Sequence, residues 1–194
     1  TFLARINPET ANILIDTGII DNDSKWRNAV GEVTADYQDV IFKKGFGGIK
    51  KEAQAHLDSI EAVTAEALEK VDFYRAAVLV SEGIITLANR YADQAEKAAQ
   101  TETDALRKAE LLAIAETCRR VPENPPTTFY EAVQMVWFTQ LGSILSENSL
   151  ALNLGRFDQY MYQYFAKDIE AGVPTTEKAQ ELIEALWIKL SEWV

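Results

Sequence analysis

Apolar residues recur at intervals of three, four and seven along most of the chain, the period of helices that bury one face. From about Thr64 to Gln100 there is no proline and one glycine, and Val71, Tyr74, Val78, Ile85, Ala88 and Ala92 fall on a single stripe. That stripe predicts one long helix. Upstream, "DYQDVIFKK" (36–44) predicts a short amphipathic turn or two, broken by Gly45, Gly47 and Gly48 before "IKKEAQAHLDSI" resumes. Residues 104–119 predict another helix carrying Leu111, Ile114 and Cys118, and "RVPENPP" then forces an extended connection, because each proline restricts the residue before it. Thr128 with Glu131 three positions on is a capping box, so "FYEAVQMVWFTQLGSIL" starts a new helix. Its apolar residues cover most of its circumference, which predicts central burial. "FDQYMYQYFAKDIEAG" reads as helix up to a Gly172 cap, and Pro174, Thr175 and Glu177 start the last helix.

The period changes once. In "SLALNL", Leu150, Leu152 and Leu154 alternate with Ser149, Ala151 and Asn153, the period of a strand. A lone strand leaves its backbone edges unpaired. The other strand candidates are "LARINP" and "NILID" near the N-terminus, so part of the sheet is expected outside this chain. The pattern as a whole predicts one mainly α, partial domain over 1–194, with an irregular segment at 1–35, a helical part at 36–147, and a strand plus two helices at 148–194. No internal repeat or low-complexity stretch is present.

Thirty acidic against nineteen basic residues give a net charge of −11, which repels phosphate backbones and anionic lipid and so argues against nucleic acid and membrane surfaces as partners. No apolar run approaches the ~20 residues of a membrane span, and residues 1–20 lack the basic start and apolar core of a signal peptide. Cys118 is the only cysteine, so an intrachain disulfide is impossible and a cytoplasmic location is expected. Its helical spacing from Leu111, Ile114 and Ala115 predicts an inert buried thiol. The chain starts on Thr1 and stops at Val194 inside "EALWIKLSEWV", as if cut at both ends.

Familiar catalytic patterns are missing: there is no HExxH, paired CxxC, GxGxxG, P-loop or GxSxG. His56 stands alone among polar neighbours and is expected on the surface. Glu102, Asp104, Glu110 and Glu116 make solvated helix faces, and the aspartates of "DNDSKW" match no calcium loop. No metal ligand set is expected.

Ordered words carry more than composition. "FKKGFGGIKKEA", "RYADQAEKAAQTETDALRKAELLAIAETCRRVPENPPTTFYEAVQMVWF" and "NSLALNLGRFDQYMYQYFAKDIEAG" closely resemble, in this order, the N-terminal half of glycyl radical enzymes. That superfamily includes pyruvate formate-lyase, glycerol and diol dehydratases and choline trimethylamine-lyase. The resemblance implies the helical N-terminal part of a ten-stranded α/β barrel, with "SLALNL" as its first strand. It also implies a cysteine loop and a radical-bearing glycine loop meeting at the barrel centre. Neither loop is recognisable here: Cys118 precedes the "VPENPP" turn, and none of the nine glycines lies in the radical motif. No catalytic residue is therefore assigned to this chain, and alone it is expected to be inactive.

The resemblance also assigns positions. The strand before "GRFDQY" would run along the substrate cavity, which puts Leu150, Ala151 and Asn153 near substrate. Dehydratase relatives commonly carry a His-Ser pair where Leu150 and Ala151 stand, so hydrogen bonding to a diol is not supported there. Glu32, four residues before the Asp36–Tyr37 pair, matches a position that is arginine in pyruvate formate-lyase and histidine in several dehydratases. A carboxylate at that position would repel the carboxylate of pyruvate. Glu32 could instead accept from a hydroxyl, face an ammonium or act as a base; an exposed loop glutamate is the alternative. Arg156 and Asp158 would have a structural role, satisfying backbone groups at a buried junction among Phe157, Tyr160, Tyr162 and Tyr164. Otherwise they are surface residues beside a core aromatic stripe.

Three functional classes follow. The first is part of a glycyl radical lyase or dehydratase that cleaves a C–O, C–N or C–C bond of a small polar substrate by thiyl-radical hydrogen abstraction. It binds no cofactor itself, but its parent enzyme would need a glycyl radical installed by an activating enzyme that uses S-adenosylmethionine and an iron–sulfur cluster, and would work anaerobically. Its partners would be the remainder of the barrel, that activating enzyme and a second copy in a homodimer. The second is formate C-acetyltransferase in name or activity, which Glu32 disfavours. The third is a non-catalytic helical interaction module or half of a split enzyme.

Overall fold

The computed structural model describes residues 7–17, 32–61, 64–147 and 151–192. The elements among them run α1 (Pro8–Asp16), β1 (Glu32–Thr34), a π-helical turn (Tyr37–Ile41), α2 (Phe42–Asp58), α3 (Ala65–Thr101), α4 (Ala105–Arg120), α5 (Phe129–Glu147), β2 (Ala151–Asn153), α6 (Phe157–Glu170) and α7 (Thr176–Ser191). The chain is mainly α, as its periodicity predicts.

Residues 1–35 are not irregular throughout. "NILID" belongs to α1, where the Asn7 side chain accepts from the Glu9 amide at 2.8 Å and Pro8 supplies a preset first turn. These start signals override its weak strand pattern. "DNDSKW" lies outside the described residues, as does most of "LARINP". The partner of the "SLALNL" strand is instead Glu32–Thr34, pairing parallel with Ala151–Asn153.

The 37-residue helix α3 is about 55 Å long at 1.5 Å per residue and packs between α2 and α4. Its fully buried positions are smaller than the predicted stripe: Ala67, Ser81, Ile84, Ala88, Ala92, Ala95 and Ala99, with Val71, Tyr74, Val78 and Ile85 only half-buried. Small side chains let neighbouring backbones approach closely, and burial from two sides shifts the seam off the largest residues. Arg119 on α4 reaches across to Asp93, to Glu96 at 3.1 Å and to Asn89 at 3.2 Å.

Of the three glycines expected to break the helix, only Gly45 leaves it, with φ 62° and ψ 172°. The break forms a notch. There the freed amides of Phe46 and Gly47 donate to the carbonyls of Pro122 and Glu123, each at 2.9 Å, so the "VPEN" turn is hydrogen-bonded onto α2. A Cβ on Gly45 would overlap the Glu123 carbonyl oxygen and lie 2.8 Å from the Asn124 carbonyl carbon. The "RVPENPP" connection thus begins as a turn, with the Asn124 amide donating to the Arg120 carbonyl at 2.9 Å, before it extends.

Helix α5 runs through the core, with Phe129, Ala132, Val133, Met135, Val136, Phe138 and Leu141 all buried. The capping box at its start is half formed. Thr128 Oγ1 accepts from the Glu131 amide at 3.1 Å, but the Glu131 carboxylate takes the Thr127 amide at 2.6 Å and Arg120 Nε at 2.7 Å instead. A more distant residue also caps the helix: the buried Asp168 of α6 accepts from the Phe129 amide at 2.6 Å through Oδ2. Lys167 beside it donates to the Thr127 carbonyl at 2.9 Å. Gly172 (φ 74°) ends this stretch after α6, and the Thr175 side chain caps α7, both as predicted.

Cys118 is buried, and burial pushes its thiol up to about 11, opposed by the nearby Arg119. Burial likewise pushes the Tyr37 and Tyr160 phenols well above the ordinary tyrosine range. All three groups stay neutral in the fold while the unfolded chain ionises near its ordinary values, so their contribution is complete below those values and is lost as pH rises through the folded ones. Alkaline unfolding followed by circular dichroism is expected to begin near pH 9, the ordinary thiol value, and steepen toward pH 11. In the native state Cys118 should react with iodoacetamide about a hundredfold more slowly than a thiol at its ordinary value of 9.0.

Candidate functional site

The two short strands lie where the sequence assigns substrate contacts. They pair parallel in the register Glu32–Ala151, Val33–Leu152 and Thr34–Asn153. Glu32 and Ala151, both expected from the resemblance as cavity positions, are therefore direct neighbours across one ladder. Asn153 sits opposite Thr34 at the carboxyl ends of the strands, where both are exposed. Leu150 lies outside the described residues. Carboxyl ends of parallel strands are the usual place for small ligands in α/β folds.

Both strands are anchored from below. β1 leads through Ala35 and Asp36 into Tyr37, which is buried at 2% exposure and receives a hydrogen bond from Gln140 Nε2 at 2.8 Å. β2 leads through Leu154 into Gly155, whose φ of 65° turns the chain toward α6; a Cβ there would meet Thr34 Cγ2 of β1 at 3.3 Å. Tyr160, one turn into α6, donates from its hydroxyl to the Leu154 carbonyl at 2.8 Å. Its ring stacks on Tyr37 with centroids 5.1 Å apart and meets Phe42 and Phe157 edge-on at 5.3 and 5.7 Å.

In "GRFDQY" the charged pair lies at the start of α6. Arg156 and Asp158 are exposed, and among the described residues neither side chain finds a hydrogen-bonding partner. Arg156 stands at the N-cap of α6 without a side-chain cap bond, and Asp158 lies in the first turn, where a carboxylate favours the helix dipole. Tyr162 is also exposed, at 65%. Gly155 and Tyr160 make close contacts at this junction, while Phe157 and Tyr164 are half-buried against the core.

Tyr37, Gln140 and Tyr160 were not legible as a unit, because only the fold brings the ends of β1, α5 and α6 together. The Asp36–Tyr37 pair and the tyrosine closing "GRFDQY" were the available signals. Away from the strands, a groove of about 480 Å³ opens between α3, α4, α5 and α7, lined by Tyr91, Leu111, Cys118, Trp137 and Leu186. It has the character of a packing surface. His56 is exposed as expected, with its ring stacked on Tyr74 at 5.0 Å.

Among known proteins, residues 2–194 match the model of a family described as pyruvate formate lyase-like. An isethionate sulfite-lyase from Bilophila wadsworthia is 39% identical over 183 residues, a match that takes in 93% of this chain and 22% of the relative. The solved glycerol dehydratase from Clostridium butyricum, in its glycerol-bound form, superposes with a TM-score of 0.78 at 37% identity over 88% of this chain and 21% of its own. A glycyl radical enzyme from Archaeoglobus fulgidus superposes with a TM-score of 0.78 at 34% identity, over 91% of this chain and 23% of its own. The chain spans about a fifth of the length of these relatives. It belongs to the pyruvate formate lyase-like family of glycyl radical enzymes and corresponds to their N-terminal part.

Proposed function

We propose that this chain supplies one wall of the substrate cavity in a glycyl radical lyase or dehydratase that acts on a small polar molecule. The pairing of Glu32 with Ala151 supports this reading most, because two positions that the resemblance assigns to the cavity from different parts of the chain become neighbours on parallel strands. Large apolar side chains left uncovered, Phe73 at 69%, Leu106 at 74% and Ile188 at 63% exposure, fit a chain that packs against the remainder of a barrel.

The bond broken is proposed to be C–O, C–N or C–C, and the relatives widen this. An isethionate sulfite-lyase is named for releasing sulfite, so a carbon–sulfur bond joins the candidates. Glu32 makes a wall unsuited to a second carboxylate and suited to hydroxyl or ammonium groups. Formate acetyltransferase activity is accordingly not the reading adopted.

The radical chemistry itself belongs outside this chain. The single cysteine is buried with its thiol pushed up, so the thiyl role is not placed on it. The glycyl radical, the thiyl cysteine and an S-adenosylmethionine-dependent activating enzyme are assigned to the rest of the protein and to a partner, and a homodimer in the cytoplasm is the expected form. Residues 1–194 alone are inactive on this reading.

The test is the full-length protein, activated anaerobically by its activating enzyme. It should show a glycyl radical by electron paramagnetic resonance and turn over a member of a panel of small diols, hydroxy acids, amines and hydroxysulfonates. Glu32→Gln is expected to lower kcat/KM at least about tenfold with the radical yield unchanged. A full-length protein that never develops the radical would sink the proposal.

A further inference from the structure

We infer that Tyr160, Tyr37 and Gln140 form a positioning clasp that holds the two cavity strands in register, an inference that rests on the functional reading above. The clasp grips both strands just past their carboxyl ends. Tyr160 Oη holds the Leu154 carbonyl, one residue beyond β2, at 2.8 Å. Tyr37, three residues beyond β1, is held by Gln140 Nε2 at 2.8 Å. The two phenol rings stack at 5.1 Å with 18° between their planes, so the exit of each strand is fixed to the other through a rigid aromatic contact.

The pair needs such a device. Three residues per strand give few ladder hydrogen bonds, and a short parallel pair is weak by itself. A slip of one residue would turn the slipped strand's side chains to the other face and break the Glu32–Ala151 register.

Packing alone does not account for the clasp. Gln140 is buried at 3% exposure, and among the described residues its Oε1 has no hydrogen-bond partner. A buried amide with an unmet acceptor is less stable than an apolar side chain of the same shape, so its presence in the core points to a task other than stability. That task is to orient the Tyr37 hydroxyl and, through the stacked rings, Tyr160.

Two variants of the full-length protein test this. Tyr160→Phe removes only the hydroxyl that holds β2. The double variant Tyr37→Phe/Gln140→Leu removes both ends of the other bond, together with the unmet acceptor, and should leave the thermal midpoint unchanged or higher. In both, hydrogen exchange in peptides covering 32–34 and 151–154 should quicken about tenfold while α3 and α4 keep their protection. KM for the panel substrate should rise about tenfold with kcat within about twofold and an unchanged radical yield. Strand exchange at the wild-type rate, or exchange that quickens everywhere in step with a lower midpoint, overturns the clasp. Faster strand exchange with unchanged KM overturns its role in positioning substrate. Absence of a glycyl radical in the wild-type protein defeats the functional reading instead, and the exchange comparison still decides whether the clasp exists.

Discussion

Gly45→Ala is expected to destabilise the chain by about 3–5 kcal/mol, combining backbone strain with overpacking against the "VPEN" turn. At φ 62° and ψ 172°, Gly45 occupies a region that residues with a Cβ essentially do not enter. The methyl group would also overlap the Glu123 carbonyl, which cannot retreat without losing the hydrogen bond it accepts from Gly47 at 2.9 Å. Urea unfolding of the purified chain measures the loss. Gly83→Ala is the control: nothing lies within 4 Å of a Cβ there, in the middle of α3, and alanine should stabilise by about 0.5–1 kcal/mol. Equal effects at the two glycines would overturn the notch argument.

Asp168→Ala should cost about 2–3 kcal/mol, the range for removing a charged partner from a buried donor. The variant leaves the Phe129 amide, at the start of the most buried helix, without its 2.6 Å acceptor. Asp168→Asn keeps an oxygen at the same place and should recover about half of that loss. The same urea titration decides it, and an alanine variant as stable as wild type would show that water replaces the carboxylate.

Helix periodicity exposed most of the architecture, because an amphipathic helix writes its burial into local spacing. Helices α3 to α7 begin and end near their predicted caps, and Thr175 and Gly172 act as read. What local spacing cannot write is a partner far along the chain. Asp168 reads as one of many helix carboxylates until α6 is packed on α5, and nothing in "GEVT" distinguishes a strand from a loop until Ala151–Asn153 lies beside it. "NILID" failed for the opposite reason, since an Asn-Pro start signal outweighs five apolar-rich residues. At the candidate site the motif "GRFDQY" was legible as a junction, whereas the stacking of its Tyr160 on Tyr37 is set by a residue far along the chain.

Parallel pairing of Glu32 with Ala151 also orders events in time. Every residue between them must be synthesised before β1 has a partner, an interval on the order of ten seconds at ordinary translation rates. During it, the α3–α4 pair can form from local contacts, shortening the loop that the strands must close. The strand pair thus closes only after the helices between its strands have been made. Until then the backbone of β1 is paired only with water, which makes it the segment where a stalled or truncated chain is most open to wrong partners.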